Sequence, residues 1–123
     1  MKLQPSNSSH FFIKKYVENN DSKSININGI DYSKSLIIFN EVQNLEINDI
    51  YELSCEHLDA LLAKKPEVVL IGTGSKQVFL HPKIYSKFIN QGIGVEFMTN
   101  SAACRTYNVL LSEDRKAALI LIL

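Results

Sequence analysis

Residues 70–76 read LIGTGSK, a branched-aliphatic run that ends in Gly72-Thr73-Gly74 with the Ser75 hydroxyl and the Lys76 ammonium close behind. Glycines, a hydroxyl and a lysine after a buried strand are the parts of a phosphate-binding loop, in which backbone amides take the anion's charge. The spacing rejects both nucleotide templates. A Walker A loop has glycine directly before its lysine and Ser/Thr directly after, whereas Ser75 precedes Lys76 and Gln77 follows it. A dinucleotide-binding turn wants a third glycine three residues beyond the second, and Gln77 stands there. Residues 75–81, SKQVFLH, also read as extended up to Pro82 rather than as the helix either template requires. Two readings stay open: glycines that let the chain turn through unusual dihedrals, or a backbone-lined pocket at the carboxyl end of a buried strand.

Residues 95–110, VEFMTNSAACRTYNVL, hold the densest set of functional groups. With Asn100 as the cap, Ser101, Arg105, Asn108 and Ser112 fall on one helix face and Ala103, Tyr107, Leu110 and Leu111 on another. Arg105 near a helix start is placed to meet a carboxylate or phosphate that the free amides and the dipole already favour. The alternative is that Arg105 pairs with Glu96 or another internal acid and fixes the helix on the sheet. Cys104 would be a nucleophile if Arg105 and the helix start lowered its pKa, but the segment holds no histidine and free cysteine is commonly buried. His10, His57 and His81 lack metal-ligand spacing and read as a strand-edge, a helix-surface and a turn residue. No metal, cofactor or complete catalytic set is expected.

The elements that must position these groups follow from periodicity. Residues 11–16, 24–29 and 35–39 read as strands, and Asn28-Gly29 is a hairpin signal because a type I′ turn wants positive φ at both positions. A helix is expected after Ser54, with Leu58, Leu61 and Leu62 inward and a stop at Pro66. Residues 67–72 are an uninterrupted aliphatic strand, buried on both faces. Pro82 opens a second helix whose apolar stripe is Ile84, Tyr85, Phe88 and Ile89 and which Gly92 closes. Residues 93–98 form a strand, 101–111 a third helix and 115–123 the last strand. Strand, helix, strand, helix, strand builds a parallel sheet by right-handed crossovers. The expected architecture is α/β, a mixed central β-sheet flanked by helices with an N-terminal antiparallel hairpin packed beside it.

The totals narrow the classes of partner. A chain of 123 residues fits a single domain, residues 1–123, able to fold without staples. Thirteen basic and thirteen acidic residues leave no net field of the kind that draws in nucleic acid. Cys55 and Cys104 form no C-x-x-C pair and read as reduced thiols. The opening residues lack signal-peptide or transit-segment character, and the AALILIL run is far shorter than the roughly twenty residues of a membrane span. A soluble, cytoplasmic chain is expected. Exposed edges in the hairpin would allow a dimer, and monomer and dimer both stay open.

From Val68 to Leu123 the sequence resembles a small single-domain family of unknown biochemical function, one that includes the mitochondrial respiratory complex I assembly factor three and the adipogenesis-associated domain protein. The stretches that carry the resemblance are Gly72-Thr73-Gly74, Val95-Glu96-Phe97-Met98 and Cys104-Arg105-Thr106-Tyr107-Asn108. In the hairpin half only the element order matches, and Thr99-Asn100 stands where the family has an acidic residue followed by threonine. The resemblance implies a three-layer fold, with the glycine turn and the Arg-Thr-Tyr-Asn helix facing each other across a cleft. It implies a non-catalytic protein-interaction or assembly-factor-like module with protein partners. The alternative is a binding protein or enzyme for a small anionic metabolite, held by Gly72, Thr73, Gly74, Glu96, Arg105, Thr106 and Asn108.

Overall fold

The computed structural model describes residues 11–20 and 22–123; His10 lies outside them. Alternating apolar residues and turn chemistry fold the first third into β1 (Ile13–Glu18), β2 (Lys23–Ile27) and β3 (Ile30–Tyr32), an antiparallel sheet in the order β1-β2-β3. Asn28 and Gly29 both take positive φ, 52° and 93°, so that Ile27 pairs with Ile30 across a two-residue turn. β4 (Leu36–Ile38) then pairs antiparallel with β5 (Val42–Asn44). Three residues reading Val-Gln-Asn give too little periodicity to announce a strand, and β5 escapes the sequence reading.

α1 (Cys55–Ala63) starts at Ser54, whose backbone N–H donates to His57 Nδ1 at 3.0 Å. His57 is thus half of a cap rather than a surface residue. β6 (Val68–Gly72) follows, then an irregular stretch to a 3₁₀ turn at Pro82–Ile84 and the short α2 (Ser86–Asn90). The continuous helix expected after Pro82 is broken at Tyr85, so Ile84 and Ile89 do not share one helical face and Ile89 stays 52% exposed. Gly92 closes α2 as expected: its φ is +77°, its N–H donates to Ile89 O, and Ile93 N–H donates to Phe88 O. β7 (Gly94–Met98), α3 (Asn100–Ser112) and β8 (Ala117–Leu121) complete the chain.

The large sheet has the order β5-β4-β8-β6-β7, with β6 parallel to both β7 and β8, and β4 antiparallel to β5 and β8. The step from β6 to β7 and the return from β7 to β8 run in opposite directions. Crossovers of one hand must then place α2 and α3 on opposite faces. The strand alternation agrees. Val69, Ile71, Ala118 and Ile120 pack with Leu58, Leu61 and Phe88 on the α1/α2 face. Leu70, Leu119 and Leu121 pack with Ala103, Tyr107, Ile25 and Ile27 on the other. There α3 and the small sheet form the third layer, giving the expected mixed sheet between helices with the hairpin sheet packed beside it.

Candidate functional site

Because the crossovers after β6 and β7 leave on opposite faces, their loops diverge at the carboxyl end of the sheet, where open α/β folds hold ligands. Here Asn100 fills that gap. Thr99, not Asn100, caps α3, its Oγ1 accepting from Ala102 N–H at 3.3 Å. Asn100 is the first helical residue and is fully buried. Its Oδ1 accepts from Gly74 N–H at 2.9 Å, and its Nδ2 donates to Ile122 O at 2.8 Å and to Tyr16 Oη at 3.0 Å. Its backbone N–H donates to Gly74 O at 2.8 Å. Gly72 is needed for this approach rather than for its dihedrals, since a Cβ there would lie 2.6 Å from Asn100 Oδ1 and 2.7 Å from Leu121 Cδ1. The unusual dihedral belongs to Gly74, with φ +104°.

Thr73 is similarly engaged. Its N–H donates to Met98 O at 2.9 Å, and its hydroxyl donates to Lys76 O and accepts from Val78 N–H. The amides of Thr73 and Gly74 therefore meet protein acceptors, and Asn100 takes the place expected for an anion.

The open depression nearby lies between β1 and the first half of α3, a groove of about 230 Å³ walled by Lys14, Lys15 and Tyr16 on one side and Ser101, Arg105 and Asn108 on the other. Asn108 holds the walls together by imitating a paired strand: its Oδ1 accepts from Ile13 N–H at 2.9 Å and its Nδ2 donates to Ile13 O at 2.7 Å. Arg105 is exposed, and its Nη1 donates to Ser101 Oγ at 2.9 Å. The ion pair with Glu96 weighed from sequence does not form, because Glu96 is exposed on the edge strand β7 and Arg105 turns along its own helix. Of the residues singled out in the sequence, Arg105 and Asn108 share the groove. Gly72, Thr73 and Gly74 sit behind Asn100, and Glu96 and Thr106 do not line it.

Tyr16 joins the two regions. It accepts from Asn100 and donates to Glu18 Oε1 at 2.9 Å, and burial pushes its phenol well above the ordinary range. Glu18 is held below the usual carboxylate range by hydrogen bonds from Ser75 and Tyr16. Cys104, on the groove's floor, is pushed up to about 12 by burial, which outweighs the opposite pull of Arg105. The lowered pKa that a nucleophile needs is therefore reversed. Sequence reasoning missed Lys14, Lys15 and Tyr16, whose pairing with α3 is a tertiary event. For Asn100 a signal exists: it follows Thr99, which already supplies a cap, so its amide is free for another task.

A second surface borders β7, an edge of the large sheet. Met98 O faces β6, where it accepts from Thr73 N–H, so alternation turns the backbone groups of Val95 and Phe97 outward. Gln77 Nε2 donates to the outward Phe97 carbonyl at 2.8 Å. Phe79 lies beside it, 69% exposed, with its ring centroid 6.0 Å from that of Phe97; Tyr85 packs edge-on against Phe97 at 5.2 Å.

A family described as "Protein of unknown function (DUF498/DUF598)" matches residues 17–122. The chain is 37% identical over 115 residues to the 13 kDa major membrane protein of Francisella tularensis subsp. holarctica, covering 90% of this chain and 89% of that one. It is 37% identical over 73 residues to NADH dehydrogenase [ubiquinone] 1 alpha subcomplex assembly factor 3 of Danio rerio, covering 58% of this chain and 42% of that protein. The match thus spans less than half of the zebrafish protein. Among solved structures, a Xanthomonas campestris protein superposes with a TM-score of 0.76 at 34% identity, covering 99% and 92% of the two chains. A Mth938-like domain from Bordetella pertussis gives 0.78 at 25% identity, also over 99% and 92%. Among the described residues no helix is long and apolar enough to cross a membrane.

Proposed function

The chain belongs to the DUF498/DUF598 family of proteins of unknown function, and from that premise we propose that it is a non-catalytic protein-binding module of the assembly-factor kind. It docks an extended segment of a partner protein on the β7 edge. The observation that carries this is the coincidence of outward backbone groups at Val95 and Phe97 with the exposed Phe79 ring. Edge strands offer main-chain hydrogen bonds for affinity, and neighbouring apolar side chains supply selectivity. Gln77, which occupies the Phe97 carbonyl, stands where a partner strand's N–H would donate. The zebrafish relative, named for its part in assembling NADH dehydrogenase, supports the same class of activity.

Affinity capture from the native cell with the chain as bait tests this, alongside Phe79→Ser and Val95→Pro. Proline at Val95 removes an outward N–H while leaving the ladder to β6 intact. Reproducible partners held by the parent and lost by both variants are expected. Recovery of nothing, or equal recovery by all three, overturns the reading.

The groove between β1 and α3 favours a second reading, a small anion held by Arg105, Lys14 and Lys15. In it Asn108 fixes the wall, and Gly72, Thr73 and Gly74 act through Asn100 and Tyr16. Glu96 and Thr106 take no part in it, because neither lines the groove. A ligand at a hundred times its Kd adds about 2.7 kcal/mol of stability. An unchanged thermal shift in Arg105→Ala removes this site. We place the protein in the cytoplasm on this reading. Because the Francisella relative is named a membrane protein, fractionation is the check, and retention in carbonate-washed membranes refutes it.

A further inference from the structure

At the amino end of the parallel strands, away from both surfaces above, lies a cavity of about 270 Å³ between the end of α3, the start of β8 and the turn after β4. Phe39, Leu111 and Ala117 give it an apolar floor. Tyr107 forms part of its wall, is 1% exposed, and its hydroxyl has no hydrogen-bonding partner among the described residues. The same burial raises the phenol far above its ordinary range, with no hydrogen bond contributing. A phenol is neutral at any physiological pH and needs an acceptor; leaving one buried without it is costly. A chain under no other demand would carry phenylalanine there.

The rim is charged. Lys64, Arg115 and Lys116 line it together with Asp114. Lys64 pairs loosely with Glu41 at 3.6 Å, and Arg115 uses its Nε for Glu67 at 2.6 Å, which leaves its terminal nitrogens. Lys116 makes no ion pair among the described residues. Asn40 and Asp114, both at the rim, take positive φ of 63° and 59° and turn the two loops around the mouth.

From the orphaned hydroxyl, the apolar floor and the cationic rim we infer that this cavity binds a small aromatic carboxylate bearing a hydroxyl on its ring. The oxygen accepts from Tyr107, the ring lies against Phe39, Leu111 and Ala117, and the carboxylate meets Lys116 and the free end of Arg115. Size agrees, since an apolar cavity of about 150 Å³ admits benzene, and this one leaves room for the two polar substituents. The site is independent of the β7 edge and of the groove at the other end of α3, so neither test above bears on it.

The test is an NMR titration of the ¹⁵N-labelled chain with 4-hydroxybenzoate as the probe and 4-hydroxybenzamide as its neutral counterpart. Saturable shifts are expected at the amides of Leu111, Lys116 and Ala117, with the amide analogue binding several-fold more weakly. Tyr107→Phe, which removes one hydrogen bond and no packing, should weaken the carboxylate about tenfold without lowering the unfolding midpoint. Lys116→Gln, an exposed change that spares the fold, should weaken it several-fold. The inference is overturned by the lack of saturable shifts up to about 10 mM probe. Unchanged affinity in either variant, or equal binding of the neutral analogue, also overturns it.

Discussion

Replacing Asn100 by alanine tests whether one buried amide holds the carboxyl end of the sheet together. The side chain makes three hydrogen bonds, to Gly74 N–H, Ile122 O and Tyr16 Oη. Gly74 and Ile122 are buried, so truncation strands one donor and one acceptor away from water. Each such orphan costs about 1–3 kcal/mol, giving about 2–6 kcal/mol for the pair. Tyr16 is half-buried and keeps Glu18, so it adds little. A loss of about 4 kcal/mol is a large share of the roughly 5–15 kcal/mol that holds a domain of this size. Urea unfolding followed by circular dichroism measures it, as a fall in midpoint at constant slope. A second arm makes the test specific. Gly72→Ala alone drives a methyl into Asn100 Oδ1 and Leu121 Cδ1. In the Asn100→Ala background the first clash is gone, so the double variant should be more stable than the sum of the two losses by about 1 kcal/mol or more. A loss below about 1 kcal/mol for Asn100→Ala, or strict additivity with Gly72→Ala, would refute the assignment.

Asn108→Ala should cost about 1–3 kcal/mol in the same assay, because both of its bonds go to the backbone of Ile13, whereas Arg105→Ala should stay within about 0.5 kcal/mol. Gly74→Ala meets no atom within 4 Å, so it should fold and lose only the backbone cost of a φ near +104°, about 1–3 kcal/mol. Intact mass after iodoacetamide at pH 8 should show the half-buried Cys55 labelled and Cys104 protected until the chain unfolds. Burial raises the Cys104 thiol from its ordinary 9.0 to about 12, so its contribution is full below pH 9 and lost as pH rises towards 12. Stability should fall in that window by up to about 1.4 kcal/mol per pH unit for this group, and Cys104→Ala should flatten the slope.

The strands and helices were largely legible because their signals are local. Asn28-Gly29 dictated a turn, the aliphatic run at Val68–Gly72 a strand covered on both faces, and Gly92 a helix end. The failures are also local in cause. β5 is too short to show a period, and Tyr85 breaks a helix whose apolar spacing looked continuous. The candidate site was legible only in part. Arg105 and Asn108 stood out as polar residues on one face of a predicted helix, but their neighbours Lys14, Lys15 and Tyr16 lie some ninety residues earlier and meet them only when β1 docks on α3.

By itself, then, the sequence determined the strand-helix alternation from Val68 onward, the mixed sheet and the failure of both nucleotide templates, since each depends on spacing within a few residues. What Gly72-Thr73-Gly74 does was decided by the tertiary structure. The turn looked like an anion cradle because its amides were counted as free, and whether an amide is free depends on what the rest of the chain brings to it. Here the fold brings Asn100, whose one oxygen and two donor hydrogens bind the turn, the last strand and Tyr16 into one buried unit.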